Sequence, residues 1–335
     1  MTIDLSISRV FLRAQNFCFL AHHPAERDID LKIACPYVTV SGVMKQERPP
    51  ASERFIIERY KTEGLSVEVV SAFRECVWTY YREHGRALPW RETRDAYKIL
   101  VSEIMLQQTQ VPRVIAKYHE FLDAFPDIVS LATAPLRDVL SRWQGLGYNR
   151  RAVALKKTAE IVVRDFGGEL PRDEKELRTL PGIGSATAAA LSAFVFGKAL
   201  PFIETNIRSV FIHFFFGDKA GVPDRELIPL VEQTLACDNP REWYYALMDY
   251  GAMLKNTHPN PSRRSAHHKP QSSFEGSHRQ LRANALRVVL ERDIVDVATV
   301  AYALNTDPSM IRKVLDELEN EGFVSKKDGA YSIKQ

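Results

Sequence analysis

Cysteine is scarce: Cys18, Cys35, Cys76 and Cys237 are the only four in 335 residues. No pair has metal-ligand spacing and no disulfide framework is implied. A zinc ribbon and a disulfide-stapled scaffold are therefore excluded, and a reducing cytosol is expected. Long apolar runs are missing too. Ala193–Phe196 and Val210–Phe216 are among the longest, well short of the ~20 residues that cross a bilayer, so no membrane partner is expected. The stretch Phe11–His22 is interrupted by Arg13 and lacks a cleavage site, so it does not read as a signal peptide. Neither sign of charge is in excess. Lys and Arg number 45 against 42 Asp and Glu, a net charge of +3, so charge alone does not select a partner. What remains is ordinary for a soluble globular chain, 45% hydrophobic and 26% charged, with length for a full core and two or three domains.

One stretch organises the rest. Leu180-Pro-Gly-Ile-Gly184 reads as a tight turn between two helices. Pro181 stops one helix, Gly182 and Gly184 admit backbone conformations closed to other residues, and Thr187 to Leu191 start the next helix. The amides from Gly184 through Ala186 to Thr187 then lie at a helix amino end with little side chain in the way. This is an anion site that a phosphodiester can approach closely. It has the form of a helix-hairpin-helix, although a plain helix cap has the same short glycine pattern. Further on, Glu204 stands in Pro201–Val210, where the chain enters an apolar helix. A phosphate grip with an acid nearby suggests an enzyme acting on DNA.

Residues 1–65 carry no readable function. Val38–Val43 is a candidate strand, Gln46–Arg54 with Pro49 and Pro50 a linker, and Met44 an alternative start of translation. Val67–His84 has helical periodicity. Leu88–Arg91 is expected to be a short extended segment. Its Trp90 is either a core anchor or a flat wall for a base. A helix from about Tyr97 has an apolar face of Leu100, Ile104 and Met105, with Glu103 among them. A carboxyl there holds its proton near neutral pH and suits a general acid, unless Arg91 or Arg94 pairs with it. Gln107, Gln108 and Gln110 follow, either reaching base edges or forming a solvated face. Ile128–Phe166 is read as two helices. The loop between them, Trp143–Arg151, sets Tyr148 at a tip where it can enter a base stack. Arg150, Arg151, Lys156 and Lys157 can meet phosphates, although a polar helix start explains them equally.

Pro223–Asp238 and Trp243–Leu254 are expected to be helical. Lys255–Arg282 is polar and basic. Its His258, His267, His268 and His278 fit no common zinc spacing, so no metal is expected. Ser272–Arg279 reads as an ordered basic arm. Residues 281–335 read as a winged helix: helices over 282–292, 297–304 and 308–322, then a hairpin turning at Asp328-Gly329. Such a domain binds DNA or proteins.

Residues of about 67–280 resemble the helix-hairpin-helix (HhH-GPD) DNA glycosylases, and within them the adenine glycosylase (MutY) branch. Six blocks carry the likeness in order: Leu88-Pro-Trp-Arg91, Ser102–Val111, Gly145-Leu-Gly-Tyr148, Leu180–Gly184, Glu204-Thr-Asn-Ile-Arg208 and Met248–Met253. The resemblance implies a mainly α fold in two lobes, with a target base flipped into the cleft between them. It divides the chain into a 1–65 extension, a 66–254 glycosylase core, a 255–280 basic segment and the 281–335 winged helix. Position by position, Glu103 matches the general acid, Glu204 the carboxylate that stabilises an oxocarbenium-like sugar, and Asn206 its support. Leu88, Trp90, Arg91 and Asp249 match the base pocket, with Asp249 behind the others. Gln107, Gln108, Tyr148, Gly182, Gly184, Ala186 and Thr187 match DNA contacts.

Three departures stand out. The family has Asp where this chain has Glu204, moving the charge by more than about 1 Å. The family's four iron–sulfur cysteines should follow Met253, yet no cysteine follows Cys237, so no cofactor is expected. The 8-oxoguanine-checking module is absent, and the winged helix stands in its place. Ala186 occupies the position of the Schiff-base lysine of bifunctional relatives, which implies a monofunctional enzyme. The expected partner is double-stranded DNA with a mispaired or damaged base, adenine first, then hypoxanthine or mismatched thymine or uracil. The expected state is a cytoplasmic monomer, nucleoid-associated if the source is prokaryotic. A non-catalytic DNA-binding protein is the reading from another class.

Overall fold

Ser52, Ser66 and Asp95 each turn a side-chain oxygen onto amides of the next turn, and there three helices begin: α1 (Glu53–Glu63), α2 (Val67–His84) and α3 (Ala96–Leu106). The computed structural model describes residues 52–270 and 273–334. The candidate strand at 38–43 and most of the expected linker lie outside them. Between α2 and α3, Pro89–Arg91 forms a 3₁₀ turn rather than the extended segment expected, because proline at the first position is preset for helical φ.

After α4 (Val111–Ala124), the 128–166 region holds three helices instead of two. Asp127 and Ser130 form a capping box that starts the short α5 (Ile128–Thr133), and Pro135 separates it from α6 (Leu136–Trp143). Then come α7 (Arg150–Phe166), the one-turn α8 (Glu174–Leu177) and α9 (Ser185–Phe196). The remaining helices are α10 (Thr205–Phe215), α11 (Asp224–Thr234) and α12 (Pro240–Thr257).

These helices pack as two lobes. The consecutive helices α3–α9 make one. In the other, α10, α11 and α12 pack against α1 and α2, so the start of the described chain closes onto its later part. Phe73 of α2 sits at the centre of that second lobe, its ring 5.2–6.0 Å from Phe211, Phe214, Phe215 and Trp243. Helix α9 touches both lobes through α3 and α12. Its Ala188–Phe194 run is wholly buried, as expected of a helix apolar on all sides.

The last portion comprises α13 (His278–Arg292), β1 (Ile294–Val295), α14 (Val297–Leu304), α15 (Pro308–Asn320), β2 (Val324–Lys327) and β3 (Ala330–Ile333). The strands form an antiparallel sheet in the order β1-β3-β2. Asp328 and Gly329 have φ of 50° and 81°, as a two-residue hairpin turn requires. Ser277 caps α13 by accepting from Gln280 N, so Arg279 is helical rather than part of an arm. This domain leans on the first lobe. Arg150 donates to both oxygens of Glu321 at 2.7 and 2.6 Å, Arg282 joins Glu321 to Glu317, and Arg137 reaches Leu290 O and Asp293. No described helix is long and apolar enough to cross a membrane.

Candidate active site

Helix α3 buries Ile99, Leu100, Ile104 and Met105, which carries Glu103 into the space between the lobes. Burial pushes its carboxyl up to about 8, the charge of Glu204 adds to the push, and Arg91 opposes both. At neutral pH Glu103 therefore holds a proton. The alternative salt bridge does not form. The two Nη atoms of Arg91 go to Asp249, each at 2.8 Å, and among the described residues no cation pairs with Glu103.

Glu204 faces it from the amino end of α10. Its Oε1 accepts from Asn206 N at 2.7 Å and Ile207 N at 2.9 Å, and its Oε2 from Asn206 Nδ2 at 3.2 Å. A glutamate thus does the capping work of the shorter Asp or Ser by folding back over its own helix. This absorbs the extra methylene, and the helix end favours negative charge there. Asn206 is held in turn: its Oδ1 accepts from Lys255 Nζ of α12 at 2.7 Å. Burial holds the Lys255 amine below its usual range, against the pull of Glu204. One turn earlier, a Cβ on Gly251 would lie 2.2 Å from Asn206 O. Only glycine lets α12 lie directly on the backbone that carries Glu204 and Asn206.

Asp249 is 2% exposed and accepts from Arg86 N at 2.8 Å, Arg86 Nε at 2.7 Å and both Nη of Arg91. Burial works against its charge, but the bonds and charges of Arg91 and Arg86 prevail and hold the carboxyl below its ordinary value. Both oxygens are thus spent behind the cleft. Leu88 and Trp90 are 5% and 4% exposed, and the Trp90 ring meets Tyr118 edge-on at 5.5 Å. Of the two readings of Trp90, its packing favours the core anchor, and Asp249 stands behind Arg91 as the resemblance implies. Arg91 packs over Tyr245 at 4.5 Å.

Arg151 connects the remaining candidates. Expected at a phosphate, it is buried instead and makes six hydrogen bonds. They go to the carbonyls of Ile104, Met105, Gln107, Leu146 and Gly147 and to Thr109 Oγ1. Its guanidinium lies 5.4 Å from the Trp143 ring and 5.5 Å from that of Tyr148. One cation therefore clips the loop after α3 to the loop before α7. Gln108 and Tyr148, one on each loop, have φ of 56° and 49°, a conformation that costs a side-chain-bearing residue about 1–3 kcal/mol. Both are exposed, Tyr148 by 40%, and the Tyr148 hydroxyl lies 3.5 Å from Arg279. Of the other three expected phosphate contacts, Arg150 and Lys156 pair with Glu321 and Glu160, and Lys157 is exposed.

In the hairpin, Gly182 has φ of 78°, and a Cβ there would crowd Ala154 at 3.0 Å. Gly184 differs from expectation: its φ is an ordinary −84°, and what its missing side chain leaves is open space. Gly182, Gly184 and Ala186 are exposed and Thr187 half-buried. Gln107 donates to Gly182 O at 3.1 Å and Thr187 Oγ1 at 3.3 Å, so its amide ties α3 to the hairpin rather than pointing outward.

Sequence reasoning missed Arg151, Lys255 and Arg86 as parts of this site. Each looks like a surface cation until its distant partner is known. The region after α12 does not fit an iron–sulfur cluster, since it has no thiolate donors. It is held by a bridge between Val222 and Ser265 and by the Ser262 hydroxyl on Asn260 at 2.8 Å.

The "HhH-GPD superfamily base excision DNA repair protein" family matches residues 101–229. The adenine DNA glycosylase of Mycobacterium tuberculosis strain H37Rv is 32% identical over 276 residues, covering 76% of this chain and 91% of that protein. The chain belongs to the adenine DNA glycosylase family. It is also similar to the family's member from Buchnera aphidicola subsp. Baizongia pistaciae, 36% identical over 187 residues, and the match spans 54% of this chain and about half (52%) of that relative. A solved thermostable thymine-DNA glycosylase is similar over 55% of this chain and 86% of that one, at 28% identity and a TM-score of 0.49.

Proposed function

We propose that the protein is a monofunctional glycosylase that removes adenine mispaired with 8-oxoguanine or guanine from duplex DNA. The observation that carries this is the meeting of two unlike carboxyl groups across the lobes: Glu103, pushed up to about 8, and Glu204, held on a helix amino end. Glu103 donates its proton to a ring nitrogen of the flipped base while the C1′–N bond breaks and its electrons leave with the base. The Glu204 carboxylate steadies the positive charge that develops on the sugar. Asn206 and Lys255 fix where that carboxylate stands. Water then adds to C1′ and returns a proton to Glu103, so the products are free adenine and an abasic site.

The exposed hairpin amides suit a backbone phosphate. Gln108 and Tyr148 enter the base stack, a reading supported by their exposed positions at strained loop tips. Ala186 offers no amine at the hairpin, so strand cleavage by β-elimination is not expected. The enzyme works as a monomer without an iron–sulfur cluster, in the cytoplasm or at the nucleoid.

Single-turnover assays with alkaline work-up test the substrate. Labelled duplexes would carry A opposite 8-oxoguanine, A opposite G, hypoxanthine opposite T, and T or U opposite G. Excision of A at least tenfold faster than of the other bases is expected. Preference for another base would reassign the substrate, and tight binding with no excision would leave the non-catalytic reading.

A further inference from the structure

We infer that Glu53, His213 and His258 form a site for a single divalent transition-metal ion, with zinc the best match. The three side chains come from three elements: the first residue of α1, the last turn of α10 and the residue after α12. Their donor atoms all lie within 4.8 Å of one another. Glu53 Oε2 and His213 Nε2 are 3.0 Å apart, and the two imidazole rings meet at 5.0 Å and 66°. Donors around a four-coordinate zinc stand about 3.3 Å apart. The carboxylate and His213 are thus already at ligand spacing, and His258, exposed beyond a helix end, has only to swing inward.

The surrounding bonds prepare these atoms. The Thr257 hydroxyl lies 3.1 Å from Met253 O and 2.8 Å from His258 Nδ1. In the tautomer that carries its proton on Nδ1, His258 has its Nε2 lone pair free to bind. The Tyr250 hydroxyl donates to the other oxygen of Glu53. Metal ligands are commonly oriented by such outer contacts. Two neutral imidazoles and one carboxylate suit zinc rather than magnesium or calcium. The side chains of Glu53 and His213 are 31% and 14% exposed, and the exposed His258 side leaves room for water as fourth ligand. A bound ion would join α1 to the ends of α10 and α12, the latter being the helix that supplies Asp249, Gly251 and Lys255. No sequence spacing points to this site, because its ligands come from three elements far apart in the chain.

The test uses untagged full-length protein, stripped with chelator and dialysed against zinc. One equivalent of zinc by elemental analysis is expected, together with a melting midpoint about 3–8 °C higher than for the stripped form. Cobalt(II) in its place should give the visible absorption of a four-coordinate site. His213→Ala and His258→Ala should each reduce both signals at least tenfold, while a His267→Ala/His268→Ala variant keeps them. If His213→Ala does not fold, the exposed His258→Ala still decides. Wild type without stoichiometric zinc or the cobalt band overturns the site, as does a signal that persists in His258→Ala. None of these readouts depends on excision activity.

Discussion

Glu103 and Glu204 are both glutamates, yet their surroundings set them apart. Glu103 lies among apolar residues with its neighbouring arginine already engaged, while Glu204 accepts two backbone amides. Glu103→Gln should lower excision by about 10²–10⁴-fold. It should also change stability in a pH-dependent way. The folded pKa is raised from 4.5 to about 8, so the native state binds more protons, and stability falls as pH rises from about 4.5 to about 8. Removing the ionisable group should therefore stabilise the protein at pH 8 by on the order of 4 kcal/mol at most and by less than about 1 kcal/mol at pH 5, as measured by thermal or urea unfolding. For Glu204, loss of charge and change of length are separable. Glu204→Gln should cost about 10²–10³-fold in single-turnover rate, whereas Glu204→Asp keeps both the cap and the charge and should stay within about tenfold of wild type. Glu103 was legible in the sequence because a lone acid in an apolar helix face is unusual. The choice between free acid and salt bridge was not legible, since it depends on Asp249 occupying Arg91.

At the scale of elements, the site depends on close approaches between helices distant in sequence. Gly251→Ala would drive a methyl into the backbone of Asn206 and should cost about 1–3 kcal/mol in stability, with a fall in excision beyond that of a simply destabilised control. Arg151 acts as the fastener of two loops, and its burial holds its pKa at about 10. Arg151→Met should cost about 3 kcal/mol by denaturant unfolding and weaken mispair binding, because it orphans buried carbonyls and frees the strained Gln108 and Tyr148. Helix positions were largely readable because caps and apolar periodicity are local: Val67–His84 was read to the residue. The roles of Arg151, Lys255 and Gln107 were hidden, since sequence does not show what lies across a tertiary contact. The sequence alone does not decide between core anchor and base wall for Trp90 for the same reason, and the two-residue β1 is too short to leave a pattern.

At the scale of the whole molecule, the C-terminal portion from α13 to β3 meets the first lobe beside the Tyr148 loop, through Glu321. That carboxylate is bonded by Arg150 at 2.6 Å and Arg282 at 2.6 Å and is 19% exposed. Glu321→Ala should cost about 1–2 kcal/mol and speed amide exchange at the start of α13 and in the 145–150 loop. Exchange confined to the mutated helix would mean that the two portions are held together elsewhere. The central claim concerns the acid in the cleft. The most direct test is the pH dependence of single-turnover adenine excision, wild type beside Glu103→Gln. The account predicts a wild-type rate that falls above a pKa of about 8, and a variant slower by at least 10²-fold with that limb missing. A variant as fast as wild type, or one that keeps the same alkaline limb, would contradict it.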